Sequence, residues 1–226
     1  MIFIFDLDDT IYRERDFFIN GIKAISKKFS KKLKVKSASI HTQILKDIKK
    51  NGRNKFLDRF LKKNNIYSKK NIRNALKIFR FNDLKLNPHM DFLTFLNNIK
   101  NEKKYIVTDG HKVVQRKKIA SLGIKKYFDK ILISRNYKIN YEKPSLFCFK
   151  KIKKLQNCRW KNMIYIADNP KKDFVNLNKV GCNTVRIVRG NYKKILPQDK
   201  NFEAKYKFTS MNQKFTKLML FYAKKN

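Results

Sequence analysis

Glycine and proline are scarce in this chain, 6 and 4 among 226 residues. That is far below the roughly 12% usual in globular domains, and it excludes a collagen-like repeat, a Gly/Pro linker and a turn-dense sandwich. Cysteine is rarer still. Cys148, Cys158 and Cys182 are isolated, with no CxxC among them, so neither a disulfide framework nor a structural zinc site is indicated and the thiols read as core residues. No apolar run approaches the ~18 residues that would span a bilayer. The opening MIFIFDLDDT puts acids where a signal peptide has a positive start, so the expectation is a soluble, cytoplasmic protein with no membrane partner. Length leaves room for one substantial core and a smaller inserted module.

Acidic residues are the remaining shortage. The chain carries 17 Asp and Glu against 56 Lys and Arg, a formal net charge of +39. Only 11 of the 56 basic residues are Arg, whereas planar bidentate readers of nucleobases and phosphates tend to be Arg. The Lys excess is spread over nearly every segment beside 24 Asn, the mixture an AT-rich coding sequence would give. No specific nucleic-acid partner is expected, although a field this positive attracts polyanions and speeds encounter with phosphorylated metabolites. A non-catalytic polyanion-binding protein is the alternative this charge keeps open. The first 20 residues run against the trend, with Asp6, Asp8, Asp9, Glu14 and Asp16 against Arg13 and Arg15. In a chain so poor in carboxylates, such a cluster needs a local reason.

Hydrophobic residues make up 42% of the chain, enough for a folded core. MIFIF reads as a buried strand ending at Asp6. From about Tyr12 to Asn82 apolar residues recur at spacings of three and four, as in Phe18, Ile22, Ile25 and Phe29, which predicts a bundle of about four helices. After Pro88 come a helix and then alternating strands and helices: KYIVTDG, KILIS, NMIYIAD and NTVRIV are the apolar strands. This alternation predicts an α/β fold, a Rossmann-like parallel sheet with helices on both faces, plus an inserted helical cap. The expected boundaries are a core of residues 1–11 and 85–200, a cap of 12–84, and a basic C-terminal helix or tail of 201–226.

In parallel α/β sheets ligands sit beyond the carboxyl ends of the strands. Read that way, the chain supplies Asp6 and Asp8 after the first strand, Thr108 and Asp109 after the second, Lys143 after ILIS, and Asp168 with Asp173 after MIYIA. Carboxylates brought together repel unless a cation or protons offset them. With no His or Cys beside them, a hard oxygen-ligated ion, most economically Mg2+, fits best.

FIFDLDDTIY resembles the first motif of the haloacid dehalogenase superfamily, an Asp-x-Asp-x-Thr sequence at the end of the first strand. The remaining motifs follow in order: Thr108 in YIVTDG, Lys143 in YEKPSLFCF, and Asp168 with Asp173 in YIADNPKKDF. The helical insert matches the position of the small α-helical (type C1) cap of one subgroup. One departure is Ala167, where many members have Gly.

The resemblance implies a Mg2+-dependent phosphomonoester hydrolase. Asp6 would attack phosphorus and form an aspartyl-phosphate. Asp8 would protonate the leaving alkoxide and later deprotonate the hydrolytic water. The Asp8 backbone carbonyl, with Asp6 and Asp168, would hold the metal. Thr108 and the amides of Asp109 and Gly110 would bind phosphoryl oxygens, although Asp109 would serve equally well as a turn-former. Lys143 would neutralise Asp6 and the phosphoryl group, Asp173 would support the metal's outer sphere or Lys143, and Thr10 would brace the loop. Asp9 is expected to have no chemical role. Arg53, beside the helix break at Gly52, is a candidate for substrate specificity from a cap loop, or a solvated residue. The expected substrate is a small phosphorylated metabolite, a sugar phosphate first, as for the phosphatases of surface-polysaccharide gene clusters that the sequence resembles. Nucleoside monophosphates and a phosphosugar mutase activity are the alternatives.

Overall fold

The computed structural model describes residues 1–224. Six strands form one sheet in the order β3-β2-β1-β4-β5-β6: β1 (Ile2–Phe5), β2 (Lys103–Thr108), β3 (Lys130–Ile133), β4 (Met163–Ala167), β5 (Asn183–Ile187) and β6 (Tyr206–Phe208). Every pairing is parallel. The chain builds outward from β1 through β2 to β3, then returns to lay β4 on the other side of β1. That reversal makes the carboxyl end of β1 the switch point, where a crevice opens between diverging connections.

β1 is central because it is apolar on both faces, as a strand covered above and below must be. Phe3 and Phe5 point to one side, where Phe92 and Phe95 of α5 (Met90–Asn98) meet them edge-on at centroid distances of 5.5–6.2 Å. Ile2 and Ile4 point to the other, into a buried cluster with Tyr105, Val107, Phe149 and Tyr165. Phe149 belongs to the helix Phe147–Leu155. The period-two alternation of β1 thus divides the core into two layers.

The segment expected as a terminal helix or tail is part of this core. β6 adds a sixth strand beside β5. Phe215, on the helix Gln213–Lys224, is fully buried and stacks edge-on against Phe95 at 4.8 Å. The β6 strand escaped the sequence reading because it is short and its middle residue is Lys207, exposed on an edge strand. Residues 225 and 226 of that segment lie outside the described ones.

The chain divides into two compact units, residues 1–14 with 86–226, and residues 15–85. The second unit is helical: α1 (Glu14–Leu33, whose first residue belongs to the core unit), α2 (Ser37–Asn51), α3 (Phe56–Lys63) and α4 (Lys69–Phe81). It has its own core of Ile22, Ile25, Phe29, Ile40, Ile44, Phe60 and Leu61. α1 and α4 come close at Gly21, where any Cβ would lie 2.4 Å from the Phe79 ring. Among the described residues no helix is long and apolar enough to cross a membrane.

Candidate active site

The site grows from the end of β1. Asp6 continues the ladder for one more bond, its amide donating to the Ile166 carbonyl at 2.9 Å, which fixes its carboxylate at the sheet edge. The chain then turns. Asp9 takes a left-handed conformation (φ 52°), and the Ile11 amide returns to the Leu7 carbonyl at 3.0 Å. Asp8 is thereby held beside Asp6 in a tight loop. Thr108 is the last residue of β2, Asp168 follows β4 directly, and Lys143 comes from the irregular stretch after β3. Asp6, Asp8, Thr108, Asp109 and Asp168 line one cavity of about 120 Å³, together with Asp9, Glu14, Asn169, Lys172 and Tyr192. A larger hollow of about 740 Å³ lies along α2, lined by Ser39, Thr42, Lys46, Lys50 and their neighbours. It holds none of the convergent carboxylates, so the smaller cavity is the candidate site.

Lys143 is the hub. Its buried ammonium donates to Asp6 Oδ1 at 2.6 Å and to the Tyr165 hydroxyl at 2.8 Å, and it pairs with Asp173 Oδ1 at 2.8 Å. Those acceptors use the three donors an ammonium has. Although burial disfavours its charge, Asp173 and Asp6 hold Lys143 well above the usual lysine range. Asp173 also accepts from the Asn169 amide at 3.0 Å, so its oxygens are committed to fixing Lys143 and the turn after β4.

Asp6, Asp168 and Asp173 bring one carboxylate oxygen each within 4.8 Å of one another. Burial, together with the neighbouring Asp173 and Asp8 charges, pushes Asp6 up to about 7, even against Lys143. Burial and the charges of Asp173 and Asp6 likewise hold Asp168 well above the usual carboxylate range. Asp168 Oδ2 is buried with no hydrogen-bond partner among the described residues. An all-oxygen donor set with an orphaned buried carboxylate oxygen suits a hard divalent cation such as Mg2+. Asp8 contributes no side-chain oxygen to that cluster.

Asp8 looks the other way. Its Oδ1 pairs with Lys118 Nζ at 2.7 Å and accepts from the Tyr12 hydroxyl, and its Oδ2 accepts from Gln115 Nε2 at 3.1 Å. Burial would raise its pKa, but Lys118, Tyr12 and Gln115 together hold it below the usual carboxylate range.

The remaining positions are engaged in ways the sequence did not indicate. The Gly110 amide donates to Glu142 Oε1 at 3.0 Å, so an incoming phosphoryl oxygen would have to displace that carboxylate to use it. Asp109 accepts from the Lys143 amide at 3.2 Å and pairs with Lys172 at 2.6 Å. Thr10 is fully buried; its carbonyl accepts from Arg189, while its hydroxyl has no hydrogen-bond partner among the described residues. Asp9 is buried and accepts from the backbone amides of Glu14 and Asn191 at 2.9 and 2.8 Å. Arg53 stands exposed between α2 and α3, its guanidinium 4.4 Å over the Phe18 ring. Sequence reasoning missed Tyr165, Lys172, Gln115 and Lys118. Two of these are ordinary lysines in a lysine-rich chain, and Tyr165 is one more apolar-run residue until its hydroxyl is seen to reach Lys143.

The sequence profile of haloacid dehalogenase-like hydrolases matches residues 3–187, and the chain belongs to that family. A glyceraldehyde 3-phosphate phosphatase of Methanocaldococcus jannaschii is 29% identical over 199 residues, covering 84% of this chain and 86% of that protein. Among solved structures, a HAD phosphatase from Thermococcus onnurineus aligns over 96% of this chain and 97% of its own, with TM-score 0.61 and 21% identity. The Bacillus subtilis HAD-hydrolase YfnB, solved bound to magnesium, aligns over 96% and 97% with TM-score 0.67 and 14% identity. The fold and the aspartate cluster are those of a hydrolase.

Proposed function

We propose that the protein is a phosphomonoesterase that takes a small phosphorylated metabolite, a sugar phosphate first, and works with Mg2+. The observation that carries this reading is the convergence of Asp6, Lys143, Asp173 and Asp168 at one sheet edge, with Asp8 two residues from Asp6. The triose phosphate named for the Methanocaldococcus jannaschii relative supports the substrate class. Dehalogenation of a haloalkanoic acid needs the nucleophile but no acid two residues on, so Asp8 favours phosphate chemistry.

In this reading an Asp6 carboxylate oxygen attacks phosphorus, a P–O bond forms to Asp6, and the ester P–O bond breaks. Asp8, whose partners favour the ionised carboxylate before substrate binds, takes the proton of the phosphomonoester monoanion and passes it to the departing alkoxide. Asp8 then takes a proton from water, whose oxygen attacks the aspartyl-phosphate, so that inorganic phosphate leaves and Asp6 is restored. Lys143 works against the burial that raises the Asp6 pKa and adds positive charge beside the phosphoryl oxygens, while Asp173 and Tyr165 stop it from swinging away. Thr108 donates its hydroxyl to a phosphoryl oxygen. Asp6, Asp168 and the Asp8 carbonyl would hold Mg2+, which offsets charge between the attacking carboxylate and the phosphoryl group. Lys172, paired with Asp109, is a second cation at the cavity wall.

The test is phosphate release from p-nitrophenyl phosphate and from a panel of small phosphorylated sugars and nucleotides. Turnover that needs Mg2+ and stops with EDTA supports the reading. Full turnover by metal-stripped protein, or none on any phosphomonoester with Mg2+ present, overturns it. A nucleotide preferred over every sugar phosphate would move the substrate class.

A further inference from the structure

The helix Lys112–Ser121 (α6) carries two buried polar residues that no motif of the sequence reading includes, Gln115 and Lys118. Three residues apart, they share one helix face. Both reach the acid of the proposed reaction: Lys118 Nζ lies 2.7 Å from Asp8 Oδ1, and Gln115 Nε2 lies 3.1 Å from Asp8 Oδ2. Gln115 Nε2 also donates to Thr108 Oγ1 at 2.7 Å. The amide therefore bridges the acid to the residue proposed to bind the phosphoryl group. With that oxygen already accepting, the Thr108 hydroxyl hydrogen has the Asp109 carbonyl at 3.5 Å, the limit of a hydrogen bond, and is available to a better acceptor.

The two oxygens of Asp8 are not equivalent. Oδ1 accepts from both Lys118 and Tyr12, whereas among the described residues Oδ2 accepts from Gln115 alone. A carboxylate oxygen offers about two acceptor sites, so Oδ1 is filled and Oδ2 keeps one open. We infer that Gln115 and Lys118 are positioning residues: Lys118 holds Asp8 by Oδ1, and Gln115 steadies Oδ2 through one acceptor site and leaves the other to exchange the proton. Built on the phosphomonoesterase reading, this assigns the proton to Oδ2–H: it passes to the alkoxide oxygen as the ester P–O bond breaks. Oδ2 then receives a proton from the water that attacks the aspartyl-phosphate. Neither α6 residue gains or loses a proton.

The consequence is selective. Proton donation matters for an alkoxide and little for p-nitrophenolate, whereas the second step needs Asp8 whatever the substrate. Lys118→Met should therefore lower kcat/KM for an alkyl phosphate such as glycerol phosphate by ~10- to 100-fold, leaving that for p-nitrophenyl phosphate within ~3-fold. In stopped flow, the variant should release about one equivalent of p-nitrophenolate per active site in a burst, followed by slower turnover as the phosphorylated enzyme accumulates. Lys118→Gln keeps a donor without the charge and serves if the Met variant does not fold; the same pattern in milder form is expected. Equal losses on both esters without a burst would make Lys118 a residue of the fold, and unchanged kinetics on both would leave it no role; either overturns the inference. A wild-type protein inactive on both esters would instead overturn the phosphomonoesterase reading from which this one starts.

Discussion

Gly190 and Asp9 are fitted to one another: a methyl group at position 190 would come within 2.1 Å of the Asp9 carboxyl carbon. Asp9 uses that closeness to accept from the Asn191 amide and side chain, each at 2.8 Å. Although 182 residues separate Asp9 from Asn191, this contact ties the loop after β1 to the segment after β5. Asp9, to which the sequence assigned no chemical role, straps the loop after β1 in place.

Gly190→Ala should therefore cost stability for two reasons. The position has φ +69°, where an L side chain costs ~1–2 kcal/mol, and crowding of Asp9 adds ~1–3 kcal/mol. A Tm lower by about 5–15 °C is expected for a chain of this size. In an Asp9→Ala background the same change should cost only the backbone part, so a thermal double-mutant cycle showing simple additivity would refute the fit.

Asp168 has a buried oxygen without a partner among the described residues, so replacing its charge should affect the metal-bound state above all. Mg2+ is expected to raise the Tm of the wild-type protein in proportion to ln[Mg2+] above its Kd. Asp168→Asn should lose most of that rise and at least ~10²-fold in kcat, while its metal-free Tm stays equal or increases. Calorimetry at several Mg2+ concentrations checks the two stability outcomes, and phosphate release at saturating substrate checks the third.

Asp6 gives a pH dependence of definite sign. Its pKa is raised from 3.8 to about 7 in the folded protein, so between those values the folded state holds a proton that the unfolded state has lost. Asp6 thus favours folding most below pH ~4, and that contribution is lost as pH rises through about 7. Metal-free Asp6→Asn should be more stable than wild type at pH 8, with the gap shrinking towards pH 4, and catalytically dead because an amide forms no acyl-phosphate. Melting curves across pH 4–8 in EDTA test it; a gap that widens towards acid would contradict the assignment.

Arg53 lies over Phe18, which packs with Phe56 and Phe79 at 5.3 and 5.4 Å. An exposed cation–π contact is worth ~0.5–1 kcal/mol, so its loss in Arg53→Ala should by itself lower Tm by about 1–4 °C. If it also recognises substrate, kcat/KM for the true substrate should fall ~10- to 100-fold, the loss of one charged hydrogen bond. Hydrolysis of p-nitrophenyl phosphate should be unchanged. Stability loss alone would make Arg53 a residue of the fold and not of substrate recognition.

Much of this protein was written in local pattern. The run IFIF, continuous rather than alternating, required a strand buried on both faces, and β1 is that strand. Spacings of three and four between residues 18 and 79 required amphipathic helices, and four helices begin between residues 14 and 69. Strand ends named Asp6, Thr108 and Asp168 because strand ends are where a parallel sheet binds ligands. Tertiary structure decided which polar atoms those residues meet. Lys118 and Gln115 lie on a helix whose sequence, KVVQRKKIAS, offers four positively charged residues; the spacing of four from Val114 to Lys118 to Leu122 puts Lys118 on the apolar face, but nothing local names its partner. Only the fold brings Lys118 to Asp8, 110 residues away. The same holds for Tyr165 under Lys143 and for Gly190 against Asp9. Periodicity constrains the face on which a side chain lies, whereas a hydrogen bond needs two atoms within ~3 Å, a condition set by how separate elements are packed.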